Sequence, residues 1–272
     1  MEVIVTIAEN FEYAGEFLND KGYIICSPDN SGGFETINSD SQRSFNTQSM
    51  FNGKMFELTH SAYEDRIEIT FCICKHSCQS PIPTPITTTE SRVLKRWLNR
   101  PDFHRFKLLQ PNWADIYMEG SFNVKDVECM GQTYMLELTF ISNRPFALHE
   151  PITYNFTTSN NNKSFTIYDI SDEVGYIYPD IEIKCLESGN LEILNSNEER
   201  RTIIKNCSTG ETITFTRDLI MNTSIISHKI QNDFNYQFLR ISNSYYNRKN
   251  KLTFSIPVQV SLKYSPYIKA VS

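Results

Sequence analysis

The sequence predicts a mainly β protein of two domains, with one short α-helix in the first. Three observations carry this. Several stretches alternate apolar and polar residues with a period of two, the pattern of a half-buried strand. Turn formers interrupt those stretches at intervals of about 8–12 residues, as in a β-sandwich. Helical periodicity is convincing only after Thr87. A length of 272 residues fits about two domains.

Taken in order, Val3–Ile7 and Gly22–Cys26 read as strands, and Ser27–Asn52 is rich in Ser, Asn, Asp and Gly, so a long loop or a weak hairpin is expected there. From Arg66 to Cys74, residues Ile67, Ile69, Phe71 and Ile73 point one way while Arg66, Glu68, Thr70 and Cys72 point the other. Prolines at 81, 83 and 85 exclude a central strand and mark a connector. Thr87 and Glu90 then form a capping box. Val93, Leu94, Trp97 and Leu98 share one helical face, Arg92, Lys95, Arg96 and Asn99 the other, and Pro101 ends the helix. A helix this short is marginal alone in water, so its Leu/Trp stripe must dock on the sheet. Tyr117–Val124 and Thr133–Ile141 pair around Met130-Gly131, with Tyr134, Leu136, Leu138 and Phe140 as the buried face.

A domain boundary falls between Asn143 and Ser164, giving domains at 1–149 and 150–272; the polar run around Asn160–Asn162 serves as spacer. The second half reads as strands alone. Ile181, Ile183 and Cys185 alternate with Glu182 and Lys184, and Ser188-Gly189-Asn190 turns the chain into Leu191–Leu194. Gly210 precedes Glu211–Thr216, where Ile213 and Phe215 alternate with threonines. Leu252–Tyr264 reads as one long strand, with Pro257 at an edge or bulge because it cannot donate to a ladder.

Composition excludes several functions. A net charge of −6 and a pI near 5.5 lack the basic face of a nucleic-acid binder. No run approaches the roughly 18 apolar residues of a membrane span. The acidic start MEVIVTIAENFEYAGEF is unlike a secretion signal, so synthesis in a cytoplasm is expected. In that setting the N-x-S/T triplets at Asn155, Asn162, Asn206 and Asn222 carry no message. An odd number of cysteines, 7, in a chain large enough to need no staples reads as reduced thiols.

Reactive constellations are scarce. Cys72, Cys74, His76 and Cys78 have residue types that suit zinc, but neighbours two apart on a strand stand about 6.5–7 Å apart. Sulfurs sharing one zinc lie within about 4 Å of each other, so buried or edge thiols account for them better. The histidines at 60, 76, 104, 149 and 228 sit in no hydrolase motif. Asp169, Asp172 and Glu173 read as a solvated loop, and no glycine loop cradles phosphate. Trp97 belongs to the helix stripe; Trp113 reads as packing ahead of ligand contact. The stretch holding Phe234, Tyr236, Phe238, Tyr245 and Tyr246 fits a sandwich strand and its loop as well as a recognition surface. No catalytic, cofactor-binding or metal-ligating residue is assigned, and the chain is expected to be no enzyme.

The arrangement of motifs goes further. EDRIEITFCICK, ESRVLKRWLNRPDF, IYMEGSFNV and YMLELTFISNRPFA resemble the N-terminal domain of the distal tail (Dit) proteins of long-tailed, siphophage-type phages. YIYPDIEIKCLESGNLEILN, GETITFT and SNSYYNRKNKLTF resemble that family's galectin-like C-terminal domain. The resemblance implies a sandwich-like N-terminal domain that forms a hexameric ring at the virion tail tip, and a galectin-like β-sandwich projecting from it. It implies the tail tube and the tip or tail-associated protein as partners, with receptor-binding proteins attached in many phages, and neither membrane nor specific nucleic acid. Ser27–Asn52 and Pro81–Pro85 are the segments expected at subunit contacts. A carbohydrate-binding lectin is the rival function, and a hydrolase on the same sandwich the more distant one.

Overall fold

A computed structural model describes residues 8, 10–26, 37–38, 43–50, 55–63, 66–75, 84–159, 163–244 and 246–269. The chain divides into two compact units, one reaching Leu148 and taking in Lys269, the other spanning His149–Ile268.

The first unit is built on one antiparallel sheet. Its strands are β1 (Phe11–Tyr13), β2 (Glu16–Phe17), β3 (Ile24–Cys26), β4 (Ile37–Asn38), β7 (Glu68–Cys74), β8 (His104–Leu108), β9 (Ile116–Cys129), β10 (Gln132–Ser142) and β11 (Ala147–His149). The path runs β2-β1-β8-β9-β10-β7-β3, with β4 beside β7 and β11 beside β9. β5 (Arg43–Met50) and β6 (Met55–Tyr63) form a separate two-stranded sheet. β4 and β5 fall within Ser27–Asn52, the stretch read as a loop or weak hairpin, and β5 forms its hairpin with β6 beyond it; the rest of that stretch and the Val3–Ile7 strand lie outside the described residues.

The β9–β10 hairpin is the spine of this unit. Met130 and Gly131 have φ of 51° and 77°, the two left-handed positions of a type I′ turn, which matches the twist of its strands. β10 then lays Leu136, Leu138 and Phe140 opposite Ile73, Phe71 and Ile69 of β7. Tyr134 falls at a register shift between Thr133 and Met135 and is only half-buried, so the expected buried face starts one pair later. Gly120 is required by close approach: a Cβ there would stand 2.2 Å from the Ile141 carbonyl oxygen.

α1 (Thr88–Leu98) begins on the expected capping box, with Glu90 N donating to Thr87 Oγ1 at 3.3 Å and Thr87 N donating to Glu90 Oε2 at 2.7 Å. Lys75 also donates to that carboxylate at 2.7 Å. The lysine hydrogen bond first, and the Thr87 amide second, hold Glu90 down at a pKa of about 2. Ser91, Leu94, Trp97 and Leu98 form the buried stripe. Val93, expected on it, is 48% exposed, because the face rotates toward Ser91, whose hydroxyl donates to Asp126 at 2.8 Å. Trp97 stacks on Phe11 at 5.7 Å and donates to the Tyr13 carbonyl at 3.2 Å. Phe11, Tyr13, Phe106, Phe122 and Phe140 complete an aromatic core beneath the helix.

The second unit is a β-sandwich. Strands β12 (Ile152–Thr157), β22 (Val258–Tyr264), β15 (Asp180–Cys185), β18 (Thr212–Phe215) and β19 (Met221–Thr223) form one sheet in that order. β13 (Ser164–Tyr168), β21 (Lys249–Phe254), β16 (Gly189–Asn195) and β17 (Arg200–Cys207) form the other. β14 (Gly175–Ile177) pairs with β20 (Ile241–Asn243); α2 (Ile230–Asp233) and β23 (Tyr267–Ile268) complete the unit. Alternation behaves as read: Ile181, Ile183 and Cys185 point inward, with Ile181 opposite Phe215 and Ile183 opposite Ile213.

Leu252–Tyr264, however, is two strands in different sheets. The chain leaves the β16 sheet after Phe254 and enters the β15 sheet at Val258. Pro257 has no amide to continue a ladder and sits at this corner, where its carbonyl accepts from Leu186 N at 3.0 Å. Inward parity survives the crossing, with Leu252, Phe254, Val258, Val260 and Leu262 all buried in one core.

Candidate functional site

Two places gather polar side chains with unusual surroundings, one in each unit. In the second, Gly210 turns the chain so that Glu211 enters on the same parity as Ile213 and Phe215, which puts its carboxylate inside. Glu211 is fully buried. It accepts from Ser208 N at 2.8 Å and from Thr223 Oγ1 at 2.5 Å, and faces His228 Nδ1 at 2.5 Å. Asp233 lies 3.3 Å from the opposite ring nitrogen. Burial raises the Glu211 pKa, but the hydrogen bonds from Thr223, Ser208 and His228 outweigh it and the net shift is downward. Burial likewise opposes charging of His228, and Glu211 outweighs it, so the imidazole pKa is raised. The two groups therefore hold each other as an ion pair. Cys207 and Cys185 lie alongside; the hydrogen bond between the thiols, with burial behind it, pushes Cys185 upward. Cys207 is 3% exposed and the His228 side chain 6%, so both face protein.

In the first unit, the end of α1 and the far end of the β9–β10 hairpin border an open cavity of about 540 Å³. Arg66, Arg100 and Arg144 line it with Phe103, Asn123 and Asn143. Among the described residues no acid lines its wall. Arg144 pairs with Glu119 at 2.8 Å, and Arg100 approaches Glu16 at 3.6 Å. Arg66 is exposed and has no acidic partner among the described residues. Phe103, at the rim, is 61% exposed.

The residues singled out in the sequence distribute as follows. Cys72 and Cys74 are buried in a small cluster with Cys26, packed by Ile24 and Met135. Cys72 thus faces protein on the side of β7 expected to be polar, because β3 brings Cys26 opposite it. His76 and Cys78 lie outside the described residues, among which no group of metal-type side chains gathers. His104 packs edge-on against Tyr13 at 5.8 Å, and His149 Nδ1 lies 2.8 Å from the Glu150 carbonyl. Trp113 is 4% exposed, which is packing. Asp169 corrects the solvated-loop reading: it is 3% exposed and accepts from Ser171 N and Oγ at 3.3 and 2.9 Å. Burial raises its pKa. Phe234 and Phe238 pack with Phe215 at 5.6 Å each, whereas Tyr236 and Tyr246 are exposed. That segment follows an irregular path, tied down by side chains. Asn195 Nδ2 donates to the Arg240 carbonyl at 2.9 Å and to Asn250 Oδ1 at 2.8 Å, and Ser242 N donates to the same Asn250 oxygen at 2.9 Å.

Family comparison matches both halves. A phage tail protein N-terminal domain covers residues 6–144 and a phage tail C-terminal domain covers residues 146–264. The chain belongs to the phage tail proteins described by these two domains. A solved structure of the Dit protein of phage SPP1, described as a paradigm of the hub adsorption apparatus in phages infecting Gram-positive hosts, is similar across 94% of this chain and 98% of its own. The TM-score is 0.64 at 11% identity, so this chain has the Dit fold. No curated protein matches. Among the described residues no helix is long and apolar enough to cross a membrane.

Proposed function

We propose that this protein is the distal tail hub of its phage: a hexameric ring that joins the tail tube to the tip or tail-associated protein and carries the receptor-binding apparatus. The observation that supports it most is continuity. Two tail domains follow one another along nearly the whole chain, and the Dit fold spans both without a large insertion. On this reading the protein builds shape for its neighbours and transforms no substrate. The closed surroundings of Glu211, His228 and Cys207 agree, since no substrate atom reaches a side chain so covered. Domains meet at 149/150, the protein resides at the virion tail tip after synthesis in the host cytoplasm, and the ring uses heterologous contacts between opposite faces of adjacent subunits. Ser27–Asn52 and Pro81–Pro85 contribute to those contacts. Acidic groups turned to the channel would keep DNA from adhering to its wall.

Negative-stain images of the purified protein test this: annular particles with sixfold symmetry support it, and a monomer that stays single beside tube and tip proteins rejects it. A lectin role has one observation in its favour, the exposed Tyr168, Tyr176, Tyr236 and Tyr246 of the second unit. Arg240 already covers one face of Tyr176 at 3.9 Å, which leaves fewer open stacking surfaces. Saturable binding of host cell-wall sugars by the intact protein would favour the lectin.

A further inference from the structure

We infer that the tip of the β9–β10 hairpin of one copy docks into the arginine-lined cavity of the next copy, an interface that rests on the ring reading and gives it a specific contact. The two surfaces occupy opposite ends of the same ladder. It runs from Gly120 opposite Ser142 to Cys129 opposite Gln132, which separates tip from cavity by about 30 Å at ~3.3 Å per residue. Complementary patches at opposite ends of a stiff ribbon make a head-to-tail contact, the kind that closes into a ring when the rotation between copies suits.

Their chemistry also matches. Met130 is 100% exposed at the apex, an unusual position for an apolar side chain on a two-residue turn. Glu128 beside it is exposed and makes no ion pair among the described residues. The cavity offers the reverse: Phe103 exposed at the rim, three arginines, and no lining acid among the described residues. A thioether against an aromatic ring and a carboxylate against guanidinium are both favourable contacts. A second copy is the occupant favoured here because the chain itself supplies the acidic, methionine-bearing tip.

Cys129 provides the test, being an exposed free thiol at that tip. F103C is prepared in the full-length protein, oxidised with diamide, and analysed by denaturing electrophoresis and peptide mapping. The expected result is a ladder of covalent oligomers linked between position 103 and Cys129, absent from wild type and from F103C/C129S. R66E, at an exposed side chain, should weaken association by about tenfold through like-charge repulsion of the tip, and R66E/E128R should recover it. A ring of normal mass with no such linkage overturns this interface and leaves the ring reading standing. A protein that is monomeric with or without F103C, at every concentration, overturns both.

Discussion

The two units solve the same problem with different chemistry. In the first, a helix closes over an aromatic cluster in which Phe11, Tyr13, Phe106, Phe122 and Phe140 meet edge and face, and few polar side chains go inside. In the second, two sheets share an aliphatic core, but Asp169, Asn195, Glu211 and Asn250 are buried within it. Aromatic packing is tolerant of pH and spreads strain over many contacts. A buried polar network is directional: fully satisfied it fixes one arrangement, and broken anywhere it leaves a costly orphan. The difference teaches that the second unit is the more specified and the more conditional.

Removing Glu211 should break that comparison most sharply. E211A leaves the covered His228 with only Asp233, on its opposite ring nitrogen, as a counter-charge, so a loss of about 3 kcal/mol is expected, the low end for breaking a buried pair, read by urea unfolding. Both tryptophans, Trp97 and Trp113, lie in the first unit. Their fluorescence midpoint should hold while hydrogen exchange in β18 and β19 accelerates; a shared loss would mean the units unfold as one. Next is G120A, whose Cβ meets the Ile141 carbonyl. It should cost about 1–3 kcal/mol through overpacking of the hairpin, this time moving the tryptophan signal. An unchanged midpoint would show that the β9–β10 ladder yields easily.

The pH response sharpens the contrast further. The Glu211 pKa is lowered, so its contribution is present above the ordinary carboxylate range and fades as pH falls through the folded value. The His228 pKa is raised, so its contribution is complete below the ordinary imidazole value and fades as pH rises through the folded one. Stability of the second unit should therefore peak between those limits, and E211Q should flatten the curve. A thermal-unfolding series from acid to mildly alkaline pH reads this directly. The smallest expected effect is T87A, which removes the helix cap for about 1 kcal/mol and leaves exchange in the second unit untouched.

What could be read in advance follows from the same physics. Local signals survived: the Thr87/Glu90 box, the alternation in β7 and β15, the Met130-Gly131 turn. Leu252–Tyr264 was misleading because a strand that changes sheet at Pro257 keeps its inward parity, so nothing in the pattern breaks. Arg43–Met50, RSFNTQSM, has too few apolar residues for its alternation to show, yet its backbone pairs with Met55–Tyr63. Asp169 was hidden by the acids that follow it, Asp172 and Glu173, its burial resting on a local turn with Ser171. Glu211 was within reach: it precedes Ile213 by two, so the alternation that buried Ile213 and Phe215 also pointed its carboxylate inward. His228 gave no comparable sign, since its partner lies 17 residues earlier and only the fold brings them together. The arginine cavity was equally invisible, being assembled from Arg66, the end of α1 and two distant strand segments.

The most direct test of the account is the mass of the intact assembly. Native mass spectrometry of the purified protein should give six times the 31.6 kDa subunit mass, alone or once tail tube protein is added. A subunit that remains at its single mass in both conditions would contradict it.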